Sequence, residues 1–351
     1  MKLNPKQLIL AREYRGYSQT DLAKRIKGLS QSNLSKYEKG LDILSDDILM
    51  RIISFLEFPV DFFYKRISNF SENANYRKRV SINKSDRAKI DITCRLIGFI
   101  VDQMAHELEY PNFNLQMIDI EEGYTPAYIA QYTRKLLEIE GPIKDINNLL
   151  ERNGIIIVEF DFDTSLFDGV SFLSDNGFPI IIVNRNCSND RKRFNISHEL
   201  GHIIMHTAIR NLYPEHRNKE MEANTFASEF LMPSAGIKSS LYNLKMTDLA
   251  ELKRFWLTSM ASIVMRAKDL GCISQERYKD LNIELSRNGF KRKEPVEVYI
   301  DSPKIFETAY RMYKNELGYT DDDLSKAFAL PSDVINRLFG GFKQRRLRIS
   351  I

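Results

Sequence analysis

Cysteine is scarce in this chain. Only Cys94, Cys187 and Cys272 occur among its 351 residues, and their wide spacing fits neither a disulfide framework nor a cysteine-ligated metal site. No apolar run reaches the roughly 18 residues that a membrane-spanning helix needs, and no apolar signal-peptide segment follows Met1. These absences predict a soluble protein of the reducing cytoplasm.

Several catalytic signatures are missing as well. The sequence contains no glycine-rich nucleotide loop, no serine or cysteine nucleophile elbow and no low-complexity segment. The formal net charge of +4 is too small to indicate nucleic-acid binding by the chain as a whole. The length exceeds that of one ordinary domain, so we expect about two to four modules.

The strongest chemical pattern that is present is a pair of histidines within Phe194–His206. His198 and His202 are four residues apart, so on a helix both rings can bind one zinc ion at about 2.0–2.1 Å. Glu199 follows the first histidine and would lie beside the metal, where it can act as a base toward a water molecule on the zinc. Because the pattern is short, a coincidental pair of histidines on an apolar helix is the alternative.

A third ligand would distinguish the two interpretations. Residues 220–233 begin with acidic side chains, continue with an apolar face and end at Pro233, which predicts a second helix. Catalytic zinc sites use three protein ligands and leave one position for water, and two His with one Glu match that type. Glu220 is the preferred third ligand, because Asn224 one turn later could hydrogen-bond the site. Glu222 is the alternative.

Together, Arg193–His202 and Glu220–Pro233 resemble the two signature helices of the ImmA/IrrE-type zinc metallopeptidases. The resemblance covers roughly residues 141–295 and implies an α+β, zincin-like metallopeptidase domain with Zn2+ as its cofactor. Members of that family relieve gene repression by cleaving a helix-turn-helix repressor. Carried over position by position, the family pattern implies zinc ligands at His198, His202 and Glu220, with Glu199 as the general base.

Positive charge is concentrated at the start of the chain. Residues 1–40 contain nine Lys or Arg and three Asp or Glu, an excess of six. Ser18 and Ser30 each stand where an N-cap would begin a short helix. The second of these helices would direct Leu34 and Tyr37 inward, and the pair of helices has the outline of a helix-turn-helix.

The outward side of that second helix carries donors and acceptors that can read base edges. Residues 5–66 resemble a phage-repressor (Xre-type) helix-turn-helix, on the strength of Ser18-Gln19 and residues 32–40. The resemblance implies an operator in double-stranded DNA as a partner, and a homodimer is a further expectation. A helical protein-interaction bundle is the alternative. The candidate DNA-binding residues are Gln19, Gln31, Ser32, Asn33 and Lys36.

Composition and periodicity divide the chain into five segments. The fold class expected is multidomain, with an all-α N-terminal domain, an α+β zincin-like domain and a helical C-terminal region. The segments are a helix-turn-helix domain at 1–66, a polar linker at 67–87, a zinc metallopeptidase domain at 88–240, a helix-turn-helix-like extension at 241–300, and a helical region with a basic tail at 301–351.

Three details of the later segments are predicted from local pattern. Strands at 154–160, 169–173 and 178–184 are expected to form a small antiparallel sheet, beside which an extended substrate can pair. The basic segment 184–193 is interpreted as a solvated loop. The extension at 241–300 is expected to pack on the peptidase domain, and DNA contact is its alternative.

These features predict a DNA-binding transcriptional regulator with a zinc-dependent endopeptidase. Its protein substrate would be a helix-turn-helix repressor or an antitoxin-like protein. The alternative is a transcription factor whose zinc domain is a non-catalytic sensor or scaffold. The presence of Glu199 beside both histidines favours the enzyme, since nothing in the pattern disables the chemistry.

Overall fold

The computed structural model describes residues 3–65, 75–76, 84–207 and 217–342. Most of the predicted linker at 67–87, and the basic tail after Phe342, lie outside these ranges. Among the described residues, no helix combines the length and the apolar character needed to cross a bilayer. Helices cover both faces of one small sheet, and the histidine pair lies on one of these faces.

The N-terminal module is helical, as predicted. Ser18 caps its second helix by accepting a hydrogen bond from the backbone N–H of Asp21, and Ser30 caps the third helix in the same way. Leu34 and Tyr37 are buried, as their helical spacing predicts. The module consists of α1 (Pro5–Tyr14), α2 (Gln19–Arg25), α3 (Gln31–Glu38) and α4 (Asp46–Leu56), followed by a 3-10 turn at Val60–Tyr64.

Within the described residues, four strands form one sheet: β1 (Asn75–Tyr76), β2 (Ile156–Phe160), β3 (Gly169–Leu173) and β4 (Pro179–Asn184). Their order across the sheet is β1-β3-β4-β2. The predicted antiparallel sheet is wrong at one pairing, because β2 runs parallel to β4. β3 and β4 form the expected antiparallel hairpin, so β2 occupies the remaining edge of β4. All of β4 is buried, as a central strand covered on both faces should be.

The sheet separates two hydrophobic cores, because alternate side chains of a strand point to opposite faces. In β4, Ile180 and Ile182 belong to the first core, whereas Ile181 and Val183 belong to the second. The N-terminal module and helix α5 (Lys84–Met104) share the first core. The second core is built with helices α6 (Pro126–Leu136), α7 (Ile146–Arg152), α8 (Asn189–His206), α9 (Lys219–Leu231) and α10 (Ser234–Leu241).

The remaining helices divide between the two cores. The extension packs on the second core, as predicted, because Trp256 joins that core and Arg266 donates a hydrogen bond to the carbonyl of Met232. The C-terminal helices join the first core through residues such as Phe306 and Tyr310. In chain order these helices are α11 (Leu249–Trp256), α12 (Met260–Asp269), α13 (Gln275–Arg287), α14 (Ile305–Asn315), α15 (Asp321–Phe328) and α16 (Ser332–Phe339).

The basic segment 184–193 is not a solvated loop, and that prediction is wrong. Helix α8 already begins at Asn189, and Arg193 on its second turn is fully buried. The Arg193 guanidinium donates to the backbone carbonyls of Ile143 and Lys144, which precede α7. A planar guanidinium has five donors and can therefore satisfy several carbonyls of a buried loop at once, so this arginine joins α8 to the start of α7.

Glu151, at the end of α7, caps another helix. Its carboxylate accepts hydrogen bonds of 2.8–3.0 Å from the backbone N–H groups of Lys304 and Ile305, at the start of α14. Burial is the largest influence on this carboxyl and raises its pKa from 4.5 to about 7. The folded protein therefore binds this proton more tightly than the unfolded chain does.

We expect Glu151 to make the protein less stable as the pH rises. Its stabilising contribution is complete below pH 4.5, the unfolded value, and is lost as the pH passes through about 7. The free energy of unfolding should fall by up to about 3 kcal/mol from this group, and Glu151→Gln should remove that part of the slope. Urea unfolding at several pH values measures both proteins. An equal slope in the variant would contradict the assignment.

Candidate metal centre

The two histidines lie on α8, and the first acidic residues of α9 face them. The packing of these two helices brings donors from distant parts of the sequence together. Gly201 permits that approach, since a Cβ at this position would lie 3.0 Å from the ring of Phe226 on α9. Any larger residue at 201 would push α9 away from the histidines.

Three electron-pair donors converge between the helices. His198 Nε2 lies 3.1 Å from His202 Nε2. His198 Nε2 lies 3.5 Å from Glu220 Oε2, and His202 Nε2 lies 3.5 Å from the other carboxylate oxygen, Oε1. Ligands about 2.0–2.2 Å from a tetrahedral zinc ion are about 3.3 Å apart, so the three donors fit zinc. In the described part of the chain, this is the one group of three metal-ligand side chains this close together.

The first histidine is oriented from behind by Asn224. His198 Nδ1 lies 3.0 Å from Asn224 Oδ1, so the ring carries its proton on Nδ1 and donates it to the amide oxygen. The Nε2 lone pair then faces the other donors, as a metal-binding imidazole requires. The predicted hydrogen bond between Asn224 and the site is therefore present, with the Asn224 oxygen as the acceptor.

The second histidine is oriented by a longer chain of contacts. His202 Nδ1 lies 2.8 Å from His206 Nδ1, and His206 Nε2 lies 3.0 Å from a carboxylate oxygen of Glu222. Arg217 donates to the other oxygen of Glu222 at 2.7 Å. Protons on His202 Nδ1 and His206 Nε2 satisfy all these contacts and leave His202 Nε2 as a lone pair. The structure thus places Glu222, the alternative ligand, on His206, while Glu220 faces the two Nε2 atoms.

Burial keeps both of these rings neutral. It lowers the pKa of His202 to about 4 and the pKa of His206 to about 2. Burial also raises the pKa of Glu222 to about 7. Neutral imidazoles offer lone pairs, and lone pairs that converge with a carboxylate repel one another unless a cation lies between them. The electrostatics of the site therefore fit a bound cation.

Glu199, the candidate base, is buried and held by the sheet. Its carboxylate accepts a hydrogen bond of 2.7 Å from the hydroxyl of Ser171 in β3. Gly169, in the same strand, permits the close pairing with β4, since a Cβ at Gly169 would lie 3.0 Å from the carbonyl oxygen of Ile182. Ser171 was not predicted as a site residue. The sequence signal for it is a single serine within an otherwise apolar strand. The structure buries its hydroxyl fully, so the hydroxyl needs a hydrogen-bond partner.

The predicted DNA-binding residues form a separate surface on the N-terminal module. The side chain of Gln31 donates to Gln19 at 2.9 Å, and Gln19 donates to Glu38 at 2.7 Å. Glu38 is held in turn by Arg12 at 2.7 Å. Ser32, Asn33 and Lys36 are exposed on the same helix as Gln31, whereas Gln19 is half-buried. The polar side of α3 is thus accessible and partly ordered by its own hydrogen bonds.

Known proteins resemble both parts of the chain. Residues 150–268 match the peptidase family described as IrrE N-terminal-like domain, and residues 8–63 match the family described as helix-turn-helix. The uncharacterized immunity region protein 2 of Bacillus phage phi105 is 32% identical over a segment that covers 21% of this chain and 62% of that protein. The chain therefore spans under two thirds of that relative. No solved structure matches. The two resemblances inferred from the sequence are confirmed.

Proposed function

Since the chain joins an Xre-type helix-turn-helix domain to an IrrE-like peptidase-family domain, we propose that it is a DNA-binding transcriptional regulator with a zinc-dependent endopeptidase activity, acting in the cytoplasm. One observation carries the proposal. The Nε2 atoms of His198 and His202 lie 3.1 Å apart, and each lies 3.5 Å from a different carboxylate oxygen of Glu220. Glu199 adjoins His198 in the sequence.

Each residue of the site has a role in peptide hydrolysis. His198, His202 and Glu220 would hold the ion and leave a fourth position open. Zinc would supply a Lewis acid that polarises the scissile carbonyl and acidifies the attacking water. The Glu199 carboxylate takes a proton from that water and returns it to the leaving amine. Ser171 fixes the carboxylate so that the proton transfer begins from one orientation.

The substrate proposed is a second helix-turn-helix protein, cleaved in trans. An endopeptidase needs an extended segment, and such a segment could pair with the edge of β3 beside Ser171 by taking the place of residues 75–76, which pair with Ser171 and Val170 in the structure. When the N-terminal module occupies an operator, the peptidase domain on the same chain is concentrated beside any repressor bound nearby. Self-cleavage within residues 66–87 ranks second. Two residues of that segment, Asn75–Tyr76, already pair with β3.

Purified protein incubated with zinc and with the helix-turn-helix repressors encoded beside its gene tests the proposal. Intact-mass spectrometry should show time-dependent fragments of one repressor, and none with Glu199→Gln. Fragments of the protein itself, cut within residues 66–87, would establish the autolytic route. No cleavage of either kind, with zinc bound, would replace the enzyme by a regulator whose zinc domain senses or scaffolds.

We predict about one zinc ion per chain, bound through the three proposed ligands. Alanine at His198, His202 or Glu220 should each abolish stoichiometric zinc in the purified protein. Asn224→Ala should weaken zinc affinity by only about 10–100-fold, since it removes an orienting group and not a ligand. Metal analysis and competition with a chelator measure both effects. If Glu220→Ala kept full zinc while Glu222→Ala lost it, the ligand assignment would be wrong.

A second prediction concerns DNA. On the preferred operator, Gln31→Ala or Asn33→Ala in the full-length protein should cost about 1–3 kcal/mol and relax specificity at one base pair. Lys24→Ala should instead weaken binding to every sequence and lower the salt slope by about 1. Binding titrations at several salt concentrations separate the two effects. Finding no sequence preference at any ionic strength would favour the protein-interaction alternative.

A further inference from the structure

Two segments of this chain repeat each other. Residues 16–26 and 318–328 share Gly, Tyr, Asp, Leu and Lys at the same positions. Both segments begin with a glycine at positive φ, 77° at Gly16 and 70° at Gly318, where a residue with a Cβ would be strained. In each segment, the N-cap of a helix follows two residues after the glycine.

The structure repeats at the same positions. Ser18 and Asp21 form a capping box at the start of α2, and Thr320 and Asp323 form the same box at the start of α15. Buried apolar residues then recur at matching places in two helix pairs, which are Leu22, Ile26, Leu34 and Tyr37 in the first pair and Leu324, Phe328, Ile335 and Leu338 in the second. Helices α15 and α16 thus repeat the capping and the buried positions of α2 and α3, and in each unit one helix precedes the pair.

The two units carry opposite charge. Residues 19–40 hold five Lys or Arg and two Asp or Glu, a balance of +3, whereas residues 321–341 hold two Lys or Arg and four Asp, a balance of −2. Three of these aspartates form the first turn of α15. In a helix-turn-helix on DNA, this helix crosses the phosphate backbone, and adjacent carboxylates there would repel it. The first turn of α15 therefore disfavours this approach to DNA.

The face of α16 that corresponds to the DNA-reading face of α3 contacts the protein itself. Asp333, the counterpart of Ser32, accepts two hydrogen bonds from Arg15 at the end of α1, at 2.6 and 3.3 Å. Arg337, the counterpart of Lys36, lines the same polar cavity as Tyr14. Arg337 also lies 3.4 Å from a carboxylate oxygen of Asp163, in the loop between β2 and β3, and 6.0 Å from the ring of Phe160.

A polar cavity marks the place where these parts meet. It has a volume of about 270 Å³, and its lining includes Tyr14 of the first unit, Lys89 of α5, Asp163 of the sheet loop and Arg337 of the second unit. The outward residues of α16 thus contact α1 and the sheet loop together. The two hydrogen bonds from Arg15 to Asp333 give this contact a defined direction. Because the Asp333 side chain is 55% exposed, the pair lies at the rim of the contact, and the buried residues of α16 pack in the first core with the N-terminal module.

We propose that residues 305–342 are a second helix-turn-helix unit whose reading face binds protein instead of DNA. Its partner is the N-terminal module of the same chain, which it holds against the β2–β3 loop of the peptidase-family domain. The unit thereby connects the DNA-reading module to the strand that carries Ser171. The structural part of this assignment does not depend on the proposed peptidase activity.

Hydrogen exchange of the full-length protein tests the docking. Asp333→Arg places a second cation against Arg15, so exchange in the last turn of α1 and in residues 161–168 should accelerate by about tenfold. Asp322→Arg is the matched control. It makes the same charge change at an exposed position of the same unit, and exchange in those two segments should stay at the wild-type rate. Unchanged exchange in Asp333→Arg would overturn the docking role of this face.

Binding to a short DNA duplex of random sequence at low salt tests whether the second unit contacts DNA. Arg337→Ala should leave the affinity and the salt slope at their wild-type values, because its side chain contacts protein. Lys36→Ala, its counterpart, should lower the salt slope by about 1. A reduced slope in Arg337→Ala would show that the second unit contacts DNA and would overturn the proposal. If the wild-type protein did not bind the duplex, the proposed DNA-binding function would be wrong. The hydrogen-exchange experiment would still show whether this face of α16 docks on the N-terminal module.

Discussion

Glu199→Gln is expected to lower peptide cleavage by about 10²–10⁴-fold, the usual contribution of general acid–base catalysis, while the protein keeps its zinc. Glutamine has nearly the same shape as glutamate and can still accept the hydrogen bond from Ser171. The three proposed ligands are unchanged, so metal affinity has no reason to fall. What disappears is the carboxylate that accepts the proton of the attacking water.

The measurement is the cleavage rate of the identified substrate, together with metal analysis of the same preparation. Ser171→Ala provides the graded comparison, because it leaves the base in place and removes only the hydroxyl that orients it. Its cleavage rate should lie between those of the wild type and Glu199→Gln, and Ser171→Thr should restore part of the loss. Full activity in zinc-loaded Glu199→Gln would show that this residue is not the base.

The parts of the structure that local sequence specifies were predictable. The helices of the N-terminal module begin at Ser18 and Ser30 because a hydroxyl can satisfy N–H groups of a first helical turn. The approach of His198 to His202 follows from the four-residue spacing alone. The spacing within α9 did not distinguish Glu220 from Glu222. Only the packing of α9 on α8 determines that Glu220 faces the two Nε2 atoms while Glu222 contacts His206.

Features that depend on distant parts of the chain were not predictable in the same way. Each strand of the sheet was recognisable from its composition, but the parallel pairing of β2 with β4 depends on which edge of the hairpin is left for β2. Arg193 appears in the sequence as one more residue of a basic segment. Its burial follows from the carbonyls of Ile143 and Lys144, fifty residues earlier, which the sequence does not connect to it.

The second helix-turn-helix unit is a different case, because its signal was present in the sequence. The repeat of residues 16–26 at 318–328 includes the turn glycine, the capping pair and the buried leucine. Hydrophobic periodicity alone shows only amphipathic helices in this region. A comparison of the chain with itself would have related the two units, since it aligns the caps and turn residues that define a helix-turn-helix.

Helix α8, which carries His198 and His202, is anchored at its start by a buried ion cluster. Lys253 of α11 is 2% exposed, and its ammonium lies 2.6 Å from Asp190 in the first turn of α8 and 2.6 Å from Glu294. Glu294 also accepts hydrogen bonds from the backbone N–H of Met260, the first residue of α12. One lysine therefore joins α8 to the extension.

Lys253→Met should destabilise the protein by about 3–5 kcal/mol, because it leaves two carboxylates buried together without their cation. That is a large share of the roughly 5–15 kcal/mol by which a folded domain is stable. Lys268→Met is the comparison, since Lys268 is only half-buried and its ammonium lies 3.8 Å from one carboxylate, of Asp269, and 5.0 Å from the ring of Tyr278; it should cost at most about 1–2 kcal/mol. Urea unfolding measures both variants.

Since Asp190 lies two turns before His198 on α8, zinc occupancy of Lys253→Met should fall at lower urea concentrations than in wild type, along with the unfolding transition. Wild-type stability in Lys253→Met would mean that the two carboxylates find other partners and that this cluster does not anchor α8.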